Sequence, residues 1–299
     1  MPTLRETIKE TVRHHLTKEN GIAMGQCLTA VGWVGGTLPE LYEEDGMVEL
    51  SMADVAGGGI AVGAALAGRR PMYVIRYQGF NWYNAPSITN YAAKSKDIWG
   101  VSCPMFVRSI AMEGAIGPVA GSSHHSLYYR MPGLKIFSPM TPGEYESVYK
   151  QFMAEDEVYY VSEHRGAYGN TEEMPNIYKD NAKITLFPIS ITRFAAVEAA
   201  KELEKEGIQV DVCHIMEIKP FRPSVGELAS LRRTKKGIVL DDDYVDGIAK
   251  SLAFDLSKGI NVDMHVMGLK DRSAGFYPQV DNLPPSKDEI IAKIKEILK

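Results

Sequence analysis

The chain has 299 residues, 45% hydrophobic and 24% charged, the make-up of a globular protein of about two domains. Its net charge is −5 with no long basic run, so nothing in it calls for nucleic acid or an anionic membrane surface. The opening "MPTLRETIKETVRHHLTKEN" is charged from Arg5 onward and lacks the apolar core of a secretory signal. The most apolar window, "SMADVAGGGIAVGAALAGRRP", is cut by Arg69-Arg70-Pro71, short of the ~20 residues a membrane helix needs. Cys27, Cys103 and Cys213 are an odd number, far apart, in apolar strand-like runs. They read as reduced core thiols of a cytoplasmic protein.

In chain order, "GIAMGQCLTAV" has strand character, and Val55 to Ala67 forms a helix with apolar residues on every side. Such a helix is expected to be buried all round. "MYVIRYQGF", "CPMFVRSIA", "LKIFSPM" and "EVYYVSEH" are further apolar runs of strand length, separated by the helical "SITNYAAKSKDIW" and "TPGEYESVYKQFM". The last of these opens with an N-cap threonine, Thr141, a proline at the first helical position and the acid Glu144. After His164 the text turns polar and aperiodic, and then the alternation resumes. Strands "ITLFPIS", "IQVDVCHIM", "GIVLDDD" and "NVDMHVMGL" alternate with three helices, and a final helix starts with a capping box, Ser286 to Glu289. Alternation of this kind predicts two α/β domains, each a doubly wound, mainly parallel sheet. The expected division is a first domain over 1–168, a linker over 169–182 and a second domain over 183–299.

Asp54 stands alone at the head of the glycine- and alanine-rich helix. No phosphate loop explains the glycines: Gly57 and Gly59 begin a dinucleotide fingerprint, but Val62 occupies its third glycine, and Gly63 is followed by Ala64 rather than Lys. Gly59 and Gly63, four apart, leave a ridge without side chains on which a helix or ligand can approach. By spacing alone an N-terminal acid is more often a cap than a catalytic group.

The succession "GGIAVGAALAGRRP", "AAK", "PGLKIFSP" and "VYYVSEHRGAYG" resembles the β subunit of the thiamine-diphosphate-dependent first component of 2-oxoacid dehydrogenase complexes, within the transketolase-like group. The likeness runs from about residue 4 to the C-terminus. It implies a pyrimidine-binding domain followed by a transketolase C-terminal domain. In that family a glutamate nine residues before the glycine matching Gly63 hydrogen-bonds the cofactor's pyrimidine nitrogen; here the position holds Asp54, one methylene shorter. Phe80 matches the aromatic that stacks on the ring, although on its own it reads as a core phenylalanine. Tyr77 and Tyr83, with Trp82, crowd the same turn. Gln26 stands where these subunits carry a glutamate near the cofactor.

His124 and His125 fall in a Gly/Ser-rich loop where related enzymes place a substrate-facing histidine. A solvated loop is the competing reading, and the resemblance does not choose between the two histidines. Asp241-Asp242-Asp243 reads as a solvated strand-end cluster, and no metal-ligand spacing occurs in the chain. The Gly-Asp-Gly motif that binds diphosphate and Mg2+ in this group is missing. The resemblance therefore implies an α-type partner chain that brings those ligands, thiamine diphosphate shared between the chains and an α2β2 heterotetramer. The activity it implies is decarboxylation of a 2-oxo acid and transfer of the acyl unit to a lipoyl carrier protein. Two alternatives stand beside it: half of a split transketolase or acyloin-type transferase, and a non-catalytic structural or regulatory subunit.

Overall fold

A computed structural model of the chain describes residues 1–113 and 116–299. They divide into two compact units, 1–112 with 119–173, and 174–299 with the described part of 113–118.

The first unit begins with α1 (Leu4–Thr17), opened by a capping box between Thr3 and Glu6. Leu4, Ile8, Val12 and Leu16 recur every four residues and are buried, so the charged N-terminal stretch is an amphipathic helix. There follow β1 (Ile22–Gln26), a single turn α2 (Gly32–Gly36), β2 (Met47–Leu50), α3 (Asp54–Leu66), β3 (Pro71–Ile75) and α4 (Asn81–Ser87). Pro86 sits inside α4 and cannot donate to the helical ladder. The chain passes through a π turn at Ile88–Ala92 into α5 (Ala93–Trp99), so the expected single helix over 87–99 is broken near its start. Next come β4 (Met105–Ala111), the short turns α6 (Gly117–Ala120) and α7 (Ser126–Tyr129), β5 (Leu134–Phe137), α8 (Pro142–Ala154) and β6 (Val158–His164). Thr141 caps α8 by accepting from the Glu144 N–H, as its sequence predicts.

Strands β1 to β6 hydrogen-bond in the order β2-β1-β3-β4-β6-β5, every neighbouring pair parallel. The chain leaves β1 to one side for β2 and returns to the other side for β3. Such a reversal opens a crevice at the C-terminal ends of β1 and β3, where doubly wound sheets bind ligands. Helix α3 departs from expectation. Gly57, Gly58, Ala61, Val62 and Ala65 are buried, but Val55, Ile60 and Leu66 are 62%, 50% and 40% exposed. One face packs on α4 and the sheet, and the opposite face, equally apolar, is left open within this chain.

The second unit contains β7 (Ile184–Pro188), α9 (Thr192–Lys205), β8 (Val210–Val212), the short β9 (Glu217–Lys219), α10 (Val225–Thr234), β10 (Lys236–Tyr244), α11 (Ile248–Ser257), β11 (Asp263–Leu269) and α12 (Lys287–Leu298). Its sheet runs β11-β10-β7-β8, again parallel throughout. Ile290 and Ile294 of α12 join Leu186, Leu203 and Leu240 in one core, with Ile297 and Leu298 packed against it. The Ser286–Glu289 capping box forms. The Asp241–Asp243 triplet is buried rather than solvated. The strand carries it inside the sheet, and local donors replace water: Ser190 Oγ donates to Asp242 at 3.0 Å, and the Tyr244 N–H to Asp243 at 2.7 Å.

Candidate functional site

The site builds from the β1–β3 crevice of the first unit. Gln26, the last residue of β1, is buried, and its amide Nε2 has no hydrogen-bond partner. A buried amide donor left unpaired costs about 1–3 kcal/mol, so the position is one at which a ligand acceptor is favoured.

Asp54 is the first residue of α3. The N-cap position is Ala53, with no side-chain cap bond, so Asp54 does not serve as the helix cap. Its carboxylate instead receives Asn84 Nδ2, from α4, at 3.2 Å. The same amide donates to the Phe80 carbonyl at 3.0 Å, and its oxygen accepts the Tyr73 hydroxyl at 2.6 Å. Burial, and then the Asp54 charge, raise the Tyr73 pKa far above its ordinary value. The phenol therefore stays protonated and acts as donor. A line of side chains thus runs Tyr73–Asn84–Asp54, with Phe80 tied to its middle.

The glycines of α3 follow from this line. A Cβ on Gly57 would lie 2.8 Å from the Tyr73 hydroxyl, and one on Gly58 would lie 3.1 Å from Asn84 Oδ1. They are small so that the polar pair can lie against the helix backbone. Gly59 and Gly63 meet no such neighbour and remain an open ridge.

Tyr77 and Phe80 flank the short turn after β3, their ring centres 6.0 Å apart. Tyr83 and Trp82 point outward and are exposed. Between these aromatics, Gln78 is buried and organises the histidine loop. Its Oε1 accepts the His124 N–H at 2.6 Å and the Tyr160 hydroxyl at 3.2 Å, and its Nε2 donates to Ser162 Oγ at 2.7 Å. His125 is buried, with Nδ1 3.2 Å from the same Ser162 Oγ, whereas His124 is half-buried, with Nε2 3.3 Å from Ser122 Oγ. The structure thus joins the Phe80 turn to the histidine loop, and His124 is the more open of the two histidines.

Beneath the site, Arg108 on β4 and Glu163 on β6 form a fully buried fork, at 2.7 and 2.9 Å. The Tyr145 and Tyr168 hydroxyls donate to the same carboxylate, and Thr37 accepts from Arg108. Burial opposes the Arg108 charge, but Glu163 outweighs it and the guanidinium pKa is raised. Charges so placed persist only when paired, and here Glu163 and Thr37 meet Arg108 Nε and Nη2 while its Nη1 is left without an acceptor. The fork clamps adjacent strands below the crevice.

Sequence reading did not single out Asn84, Tyr73 or Gln78. The adjacent Gly57–Gly58 pair is the signal that could have pointed to a bulky polar neighbour. The cysteines take no part in this network: all are free, Cys103 and Cys213 are buried, and burial pushes their thiols up to about 11 and about 12.

An acid with one oxygen anchored, a pair of aromatic rings and a buried amide without an acceptor suit a flat, nitrogen-bearing heterocycle. Two family models match the chain: "Transketolase, pyrimidine binding domain" over residues 2–171 and "Transketolase, C-terminal domain" over 175–289. The chain is 22% identical to the pyruvate dehydrogenase E1 component subunit beta of Rickettsia felis, over 99% of this chain and 98% of that one. It is 24% identical to the acetoin:2,6-dichlorophenolindophenol oxidoreductase subunit beta of Cupriavidus necator, over 99% and 97%. Its fold is similar to that of a split gene transketolase, described as an inactive beta4 tetramer, with TM-score 0.76, 17% identity and coverage of 99% and 98%.

Proposed function

Because this chain belongs to the transketolase family of thiamine-diphosphate enzymes, with a pyrimidine-binding domain followed by the C-terminal domain, we propose that it is the β subunit of a heteromeric enzyme that decarboxylates a 2-oxo acid and passes the acyl unit to a lipoyl carrier. The observation that carries this reading is the Tyr73–Asn84–Asp54 line beside the unpartnered Gln26 amide. When bound, thiamine diphosphate supplies a carbon nucleophile and an electron sink for the departing carboxylate. Asp54 holds a proton toward the ring nitrogen, with Asn84 fixing the carboxylate from behind so that one oxygen stays aimed. Phe80 would stack on the ring, Tyr77 and Gln26 would line its edge, and Tyr83 would belong to the rim. His124 and His125 face the substrate side, with Gln78 and Ser162 setting their orientation.

The diphosphate and Mg2+ ligands come from an α-type partner carrying Gly-Asp-Gly, which this chain lacks. The open apolar face of α3 suits burial against a further chain, and an α2β2 assembly gives two composite sites. The exact division at 1–168, 169–182 and 183–299 belongs to the same proposal. So does a cytoplasmic location; among the described residues no helix is long and apolar enough to cross a membrane.

The test is a substrate screen on the complex purified with its partner. Release of CO2 from a 2-oxo acid, with acylation of a lipoyl domain, is the expected result. Transfer to an aldose with no use of lipoyl domains would make the chain half of a split transketolase. Failure of the assembled complex to retain cofactor would make it a structural or regulatory subunit.

A further inference from the structure

A groove of about 510 Å³ lies between α1 and α8 of the first unit. That volume falls within the roughly 300–1,000 Å³ of small-molecule sites. Its floor is made by Thr7 and Thr11 of α1 and Tyr149 of α8, all buried, with half-buried Met153 beside them. Thr7 and Thr11 precede Ile8 and Val12 of the apolar stripe by one residue, which puts them at the edge of the core. The Tyr149 hydroxyl is engaged by His15 Nδ1 at 3.1 Å, so its ring serves the groove as an apolar wall. Thr7 is the odd residue in this floor. A helical threonine commonly returns its hydroxyl to the carbonyl four residues earlier, as Thr17 does to Arg13 at 2.9 Å. Thr7 Oγ1 is buried and has no such partner. Because Thr7 lines the groove, a polar group entering it can pair with that hydroxyl.

The rim is acidic. Glu6 and Glu10 of α1, Glu19 just after it and Glu146 of α8 all line the groove and are exposed. Lys150 lies 4.0 Å from Glu146 and Arg13 lies 3.3 Å from Glu10, which offsets two of the four charges. Glu19 meets His14 Nε2 at 3.0 Å, and Glu6 accepts the Thr3 N–H at 2.7 Å. Ion pairs as exposed as these hold weakly, and each carboxylate keeps lone pairs for a further donor. An apolar floor beneath an excess of negative charge is complementary to a cation that carries an apolar body.

We infer that the groove between α1 and α8 binds a small organic cation, an ammonium group on an aromatic or aliphatic body. The body lies along Tyr149 and Met153, and an aromatic wall itself favours a cation beside it. Thr7 and Glu10 stand three residues apart on α1, on adjacent turns of one face, so a single ammonium can donate to both. Glu146 closes the charge from the side of α8. No residue of the groove belongs to the proposed cofactor or substrate set, so the inference stands independently of the proposed function.

The test is a calorimetric titration of the full-length chain with phenethylammonium and, separately, with phenethyl alcohol and phenylacetate, which share the aryl body and differ in charge. Saturable binding of the ammonium, weaker binding of the alcohol and none of the carboxylate is the expected result. Glu10→Gln combined with Glu146→Gln, both at exposed positions outside the core, weakens the ammonium by about fivefold or more and leaves the alcohol unchanged. Thr7→Val keeps the shape of the side chain, removes the hydroxyl and weakens the ammonium by about threefold. No saturation by the ammonium up to about 20 mM, equal affinity for the three probes, or unchanged ammonium affinity in the paired glutamine variant would overturn the inference. Saturable binding of a Lys-rich amphipathic peptide with none of the ammonium would also overturn it and assign the groove to a protein partner.

Discussion

Asp54 is one methylene shorter than the glutamate its family resemblance leads one to expect, and Asn84 meets it from the adjoining helix. The two features belong together: a short acid held from behind points a single oxygen, where a longer one would reach alone. With the proposed role, Asp54→Asn lowers turnover of the complex by about 10²- to 10⁴-fold, the usual range for a lost acid–base group. Thermal unfolding of this variant stays close to that of the parent, because Asp54 makes one side-chain bond and is not the helix cap.

Gly57→Ala tests the packing directly. Alanine favours a helix by about 1 kcal/mol, but its Cβ would press on the Tyr73 hydroxyl at 2.8 Å. Overpacking of about 1–3 kcal/mol wins, so the variant is destabilised. Tyr73→Phe in the same chain relieves it in part, a coupling that paired denaturation curves would reveal as non-additivity. Asp54, Phe80 and the histidine loop could be found by setting this sequence beside a family. Asn84 could not, since an asparagine thirty residues from the acid gives no local signal that the two side chains meet.

At the scale of elements, strand runs, capping boxes and the 3.6-residue stripe of α12 were readable because local sequence dictates them. Helix α1 escaped notice because its charges mask a four-residue apolar repeat. The burial of α3 was misjudged for a different reason. Composition reports that every face is apolar, but only the packing decides which face has a neighbour. The buried Asp241–Asp243 run failed similarly, since the donors that replace water there come from Ser190 and the strand's own backbone.

The fork between β4 and β6 is the element-scale contact with the largest expected effect. Glu163→Ala leaves Arg108 buried and unpaired and costs about 3–5 kcal/mol of stability, measurable as a lowered urea midpoint. Buried His15 and half-buried His214 set a pH dependence of known sign. Burial, with the Arg193 charge second, holds His214 down to about 3, and burial also lowers His15. Their unfolded forms take up protons near pH 6.5 while the folded forms do not. Their contribution is therefore complete above pH 6.5 and is lost as pH falls from there toward 3. Unfolding midpoints measured between pH 7.5 and about 5 should decline, and His214→Gln should flatten that decline. An unchanged slope in the variant would remove His214 from the account.

At the scale of the whole molecule, the proposed function gives Asp54, Phe80 and Gln26 to a cofactor ring, and the same sequence carries no Gly-Asp-Gly motif for its diphosphate and metal. The proposed sharing of the cofactor and the open apolar face of α3 both call for a second chain. The measurement that tests this most directly is made on the complex captured from its own cells through the full-length chain. The partner is identified by mass and sequence, and released thiamine diphosphate is quantified against protein. A partner carrying Gly-Asp-Gly, with cofactor near one per pair of chains, is the predicted result. A homo-oligomer of this chain that holds no cofactor would contradict it and leave Asp54 an ordinary acid on a helix.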